Sequence, residues 1–243
     1  MAPKAAYQDG FHGPNSTLPT ILCLHGGGTN AAIFNIQSIR IQRALADTFH
    51  FIFLDGPFIA LPGPGVLPVF DGCEPFLRWA TPEGGPIPKE TIEIIKTAIK
   101  ERQKKAEVVG VMGFSQGAKL AAGLLMEQQL RAKGAEGEGL GAEFKFGLLF
   151  NSTSPPYANE LPENELIAVP SIHVVGSSDP WRKSSTGLYE EYFDKKTANK
   201  IELDVDHRLP NLPEDTDKVV AGIRRLHQET LGSAKVAVDQ VTG

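Results

Sequence analysis

Short runs in which nearly every position is apolar alternate along this chain with longer stretches whose apolar residues recur every three or four positions. The first pattern reads as a strand buried on both faces, the second as a helix with one apolar side. Thr20 to Leu24, Phe49 to Leu54, Glu107 to Met112, Phe144 to Phe150, Ser171 to Val175 and Lys200 to Val205 are predicted strands. Ala31 to Ala46, Lys89 to Lys105, Gln116 to Lys133, Trp181 to Phe193 and Glu214 to Gly232 are predicted helices. This alternation predicts an α/β fold, a mainly parallel sheet with helices on both faces. No repeat and no long polar linker divides the series, so residues 1–243 are expected to form one domain.

Two segments depart from the alternation. Residues 56–88 are rich in Pro and Gly yet carry Phe58, Leu61, Val66, Leu67, Val69, Phe70, Phe76, Leu77 and Trp79. A solvated linker does not hold so many large apolar side chains, so the segment is expected to wall or cover a pocket. The glycine-glutamate stretch from Lys133 to Gly141 reads as a surface connection.

Bulk properties narrow the partners. With 24 basic against 29 acidic residues the net charge is −5, and no basic cluster exceeds Lys104-Lys105, which argues against nucleic acid. No apolar run approaches a membrane span, and the first residues lack the apolar core of a secretion signal, so a cytoplasmic location without membrane contact is expected. Cys23, within a strand, and Cys73, in a loop, form no metal spacing and would remain thiols in a reducing compartment. Neither a metal mechanism nor a cofactor has support.

The chemistry begins at Gly113-Phe114-Ser115-Gln116-Gly117, a G-x-S-x-G string placed where a strand becomes a helix. A turn that tight needs small residues two positions either side of the serine and lifts its hydroxyl clear of the sheet. A serine hydroxyl needs a base to take its proton and an acid to orient that base, here in the chain order Ser, Asp or Glu, His. Asp179 follows the strand at Ser171 and precedes a helix; His207 follows the last strand. Asp204 and Asp206 lie too near His207 in sequence to stand behind its ring. His173 falls within a strand and His227 deep in a helix, so neither is well placed. The oxyanion requires backbone N–H donors. The glycine loop His25-Gly26-Gly27-Gly28 offers Gly27 or Gly28, to act with the N–H of Gln116. His25 reads as a structural hydrogen-bonding residue of that loop.

The same loop permits a rival. Gly26-Gly27-Gly28-Thr29-Asn30-Ala31, with Asp55 after the next strand, satisfies a permissive dinucleotide fingerprint. An NAD-binding oxidoreductase would use it, but would leave Ser115, Asp179 and His207 without work.

Taken together these residues resemble the fungal serine hydrolase family, a branch of the α/β-hydrolases. The likeness rests on Leu24 to Gly28 with Ala32-Ile33-Phe34 and Gln37, on Phe51 to Phe58, on Gly63 to Pro68 and Trp79, on Gly113 to Gly117, on Gly176 to Asp179 and on His207 to Pro210. The early block and the Pro-Gly-Pro-Gly loop look like the stand-alone thioesterases of fungal polyketide clusters. The resemblance implies a serine esterase or thioesterase whose substrate is an acyl thioester or ester, released from the acyl carrier domain of a polyketide synthase. A general short-chain carboxylesterase is the alternative. An apolar loop around Phe70, Phe76 and Trp79 would suit a hydrophobic acyl chain. The family commonly carries glycine before the histidine, where this chain has Asp206.

Overall fold

The apolar runs pair side by side in the computed structural model, which describes residues 6–81, 85–158 and 165–241. In chain order the elements are β1 (Gln8–Asp9), β2 (Thr20–Leu24), α1 (Ala31–Gln37), α2 (Ile39–Ala44), β3 (His50–Leu54), β4 (Phe58–Ile59), β5 (Leu77–Arg78), α3 (Lys89–Gln103), β6 (Val108–Phe114), α4 (Gln116–Ala132), β7 (Phe146–Phe150), β8 (Ser171–Gly176), α5 (Arg182–Tyr192), β9 (Ala198–Leu203) and α6 (Pro213–Val241). The main sheet has seven strands in the order β1-β3-β2-β6-β7-β8-β9, all parallel except β1. Each expected strand is present, and the sheet is covered on both faces.

Strand alternation explains that covering. Leu22 and Leu24 of β2 point to the side packed by Ile95 and Ile99 of α3, Leu120 and Leu124 of α4 and Leu188 of α5. Ile21 and Cys23 point to the other, against Phe34 of α1, Ile41 of α2 and Val219 and Ile223 of α6. A strand buried both ways has no polar face, which is why its sequence reads as a continuous apolar run.

One expectation needs correction. The stretch from Ala31 to Ala46 is two helices, because Ser38 bends the chain. Its hydroxyl donates back to Phe34 O at 2.8 Å, and the Gln42 amide takes up the Asn35 carbonyl at 2.8 Å. Serine back-bonding of this kind competes with the helical ladder. Within the segment 56–88, β4 and β5 pair as a short antiparallel ladder.

That segment is tied to the glycine loop after β2. Gly28 N donates to Leu77 O at 2.8 Å, Leu77 N to Thr29 O at 2.7 Å, and Gly63 N to Gly28 O at 3.0 Å. Asn30 caps α1 through Ile33 N while its amide holds the carbonyls of Cys73 and Pro75. Between these ties Ile33, Val66 and Phe76 form a small apolar cluster with Phe70 and Cys73 against it. Ile59, Leu61, Leu67 and Val69 are left exposed.

Candidate active site

The strand order reverses direction between β2 and β6: from there the chain builds outward through β3 on one side and through β7, β8 and β9 on the other. Open α/β sheets hold ligands in the crevice at such a point, beyond the carboxyl ends of the strands. The glycine loop after β2 and Ser115 after β6 both lie there.

Ser115 turns the chain from β6 into α4 with φ 52° and ψ −117°, a region that residues with a side chain rarely occupy. Such a conformation costs about 1–3 kcal/mol and persists only where its surroundings fix it. Here Ser115 N donates to Phe150 O at 2.9 Å, and its carbonyl accepts from Ala118 N and Lys119 N at 3.0 Å each. The flanking glycines answer two different constraints. A Cβ on Gly113 would stand 2.3 Å from Gly117 O, and one on Gly117 would stand 2.0 Å from Leu24 O. The first lets α4 fold back on β6; the second lets it approach the end of β2.

The turn brings the Ser115 hydroxyl to 2.9 Å from His207 Nε2, and His207 Nδ1 lies 2.8 Å from Asp179 Oδ2. Asp179 is 5% exposed, and its other oxygen accepts Trp181 N at 2.7 Å. Both carboxylate oxygens are thereby fixed, which holds the plane of the group toward His207. The imidazole is in turn clasped between rings, with Phe114 at 4.9 Å and Trp181 at 4.6 Å between centroids. Trp181 escaped the sequence reading, although an aromatic two residues after the candidate acid was the available signal. Asp206, in the place where glycine is common, pairs with Arg208 and has no positive φ, so glycine's freedom is not needed there. Asp204 accepts from Ser177 and Ser178, away from the imidazole.

Such a chain can move a proton. With Nδ1–H committed to the carboxylate, Nε2 is left as the acceptor for the serine proton. An oxyanion forming at the attacked carbon would then meet unpaired donors. Neither Gly27 N nor Gln116 N has a hydrogen-bond partner among the described residues, and a Cβ on Gly27 would stand 3.3 Å from Gln116 Oε1. Gly28 does not fit that role, because its N–H is already given to Leu77 O.

The Gln116 side chain has separate work. Its Oε1 accepts Trp79 N at 2.9 Å, and its Nε2 donates to Tyr157 Oη at 3.1 Å and Ala80 O at 3.3 Å. Trp79 differs from its expected place: it is fully buried, donates Nε1–H to His25 O at 2.8 Å and packs on the His25 ring at 4.8 Å. It offers no surface to an acyl chain and instead pins the glycine loop. Phe76 is 6% exposed within the Ile33–Val66 cluster, and Phe70 lies against that cluster.

His25 completes this support. Nδ1 bonds to Gly26 O at 2.8 Å and Nε2 accepts Gly56 N at 2.9 Å, a pairing that requires the neutral ring. Burial holds its pKa down to about 4. His173, packed edge-on to Phe193 within β8, is held to about 3, first by burial and then by Lys195. A dinucleotide pyrophosphate would need the open N-terminus of α1, but Ala31 N is taken by Asp55 Oδ1 and Ile33 N by Asn30 Oδ1.

Fold and site geometry together define an α/β-hydrolase with a serine at the turn from β6 into α4. The family model described as "Serine hydrolase (FSH1)" matches residues 15–219, and the chain belongs to that family. Thioesterase FSL2 of Gibberella zeae is 31% identical over 90% of this chain and 94% of its own length. A probable esterase of Aspergillus terreus is 38% identical over 90% and 93%, and esterase FUS5 of Gibberella fujikuroi 33% over 83% and 84%. Among solved structures, the carboxylesterase of Bacillus cereus superposes with a TM-score of 0.57 at 16% identity, covering 90% of this chain and 92% of that one, a likeness of fold. The protein is therefore a serine hydrolase acting on ester or thioester bonds. No helix among the described residues is long and apolar enough to cross a membrane.

Proposed function

We propose that Ser115, His207 and Asp179 form the catalytic triad of a thioesterase that releases a polyketide acyl chain from the carrier domain of a polyketide synthase. The observation that carries the triad is the unbroken line of two bonds, 2.9 Å from Ser115 Oγ to His207 Nε2 and 2.8 Å from Nδ1 to Asp179 Oδ2. In the first half-reaction Ser115 Oγ bonds to the thioester carbon while its proton passes to His207 Nε2. The oxyanion sits between Gly27 N–H and Gln116 N–H, donors of a kind worth about 3–4 kcal/mol each in the transition state. Collapse breaks the carbon–sulfur bond, and His207 returns the proton to the departing thiolate. Water then attacks the acyl-enzyme, giving its proton to His207; the bond to Ser115 Oγ breaks, His207 passes the proton to Oγ, and the acid leaves.

The preference for a long acyl group rests on the exposed side chains of Leu61, Leu67 and Val69, carried by the segment that Gly63 anchors to the glycine loop. The name of the FSL2 relative supports a thioester, and the names of the others support an ester. Comparing hydrolysis of acyl groups on carrier-protein thioesters with that of short p-nitrophenyl esters tests the substrate. A higher kcat/KM on the carrier thioester supports release from a synthase; a preference for the short esters points to a general carboxylesterase.

A further inference from the structure

Asn151, directly after β7, is the one described residue besides Ser115 that has a side chain and a positive φ, here 43°. It is completely buried, and its N–H and both polar atoms of its side chain are engaged. Its N–H donates to Val174 O at 2.8 Å. Its Oδ1 accepts Gly176 N at 2.8 Å, at the end of β8, three residues before Asp179. Its Nδ2 donates to Arg208 O at 2.8 Å and Asp206 O at 3.3 Å, the carbonyls on either side of His207. The residue before it, Phe150, supplies the carbonyl that accepts Ser115 N.

One side chain thus joins the loop that carries the acid to the loop that carries the base, from a backbone already bonded to the serine turn. The bridge needs an amide. Donating to two carbonyls while accepting one N–H takes an –NH₂ and a C=O on one short stem, and asparagine also tolerates positive φ better than most residues. We infer that Asn151 is a positioning residue that sets the distance between Asp179, His207 and Ser115. The inference rests on the triad reading above. Misplacement of reacting groups by about 1 Å costs on the order of a hundredfold in rate, so the bridge's worth should appear in turnover.

Two substitutions separate position from folding. Asn151→Gly keeps a residue suited to φ 43° and removes every side-chain bond. Asn151→Asp keeps the shape and the Gly176 acceptor but sets a carboxylate oxygen against the two carbonyls that flank His207. Activity would be measured on a p-nitrophenyl ester and divided by the sites titrated with a fluorophosphonate, with Ser115→Ala alongside. The expected result is a kcat per titrated site lowered about 30-fold or more in both variants, with KM within about twofold of wild type. Wild-type kcat per site in Asn151→Gly would overturn the inference, as would a rise in KM at unchanged kcat. A loss of activity that only follows the number of titrated sites would assign Asn151 to folding and overturn it too. If Ser115→Ala hydrolyses the ester as wild type does, the triad reading fails instead.

Discussion

Single atoms decide how this site works, and Asp179 shows how closely. Its Oδ1 is held by Trp181 N–H and its Oδ2 by His207 Nδ1. In Asp179→Asn the amide oxygen would keep the Trp181 bond, which turns the NH₂ toward His207. Two donors would then face each other unless the imidazole moved its proton to Nε2, where it could no longer accept from Ser115. The expected loss in kcat is about 10⁴-fold at little cost in stability; turnover together with a thermal melt checks it, and activity within tenfold of wild type would contradict the assignment. At this scale the sequence was legible in part. Ser115, Asp179 and His207 could be expected to meet because each follows a parallel strand, in the chain order Ser, Asp, His. The choice between Gly27 and Gly28 could not be made, because it depends on which N–H the carbonyl of Leu77, about fifty residues away in the chain, takes up. Asn151 was illegible for a similar reason: its work exists only where three loops converge.

Elements meet at the glycine loop, where the end of β2, the start of α4 and the segment from 56 to 81 are locked together. Trp79 lies at the centre, with its indole N–H on His25 O and its backbone N–H on Gln116 Oε1. Trp79→Phe would keep most of the ring packing and leave a buried carbonyl without its donor. That costs about 1–3 kcal/mol, to be read as a lower urea midpoint with an unchanged slope; an unchanged midpoint would remove Trp79 from the loop's support. Strands such as β2, β6 and β7 were readable because burial on both faces leaves almost no polar position to blur them. The segment 56–88 was harder. Its composition showed that it packs, but burial of Trp79 and exposure of Leu61 follow from contacts distant in the chain.

Across the whole molecule, two histidines buried in the neutral state link stability to pH. His25 and His173 have folded pKa values of about 4 and about 3, against an ordinary 6.5. The unfolded chain therefore binds protons more readily between 6.5 and about 4, so stability is full above 6.5 and is lost as pH falls through that window. Each histidine can contribute up to about 1.4 kcal/mol per pH unit there. Urea midpoints should fall between about pH 7.5 and about pH 5, and His173→Gln should make that dependence shallower. A dependence equally steep in the variant would show that His173 is not part of it. The α/β class was legible at this scale from the alternation alone. The short antiparallel β1 at the sheet edge was not, since Gln8 and Asp9 carry no apolar signal and pair with β3 only because that edge is open.

All three scales converge on the hydroxyl of Ser115. Treatment with a fluorophosphonate, followed by intact mass and peptide mapping of wild type and Ser115→Ala, tests that convergence most directly. One phosphonyl group on Ser115 in the wild type, with no adduct and no ester hydrolysis in the variant, is the predicted result. An adduct on another residue, or turnover that survives in Ser115→Ala, would contradict it.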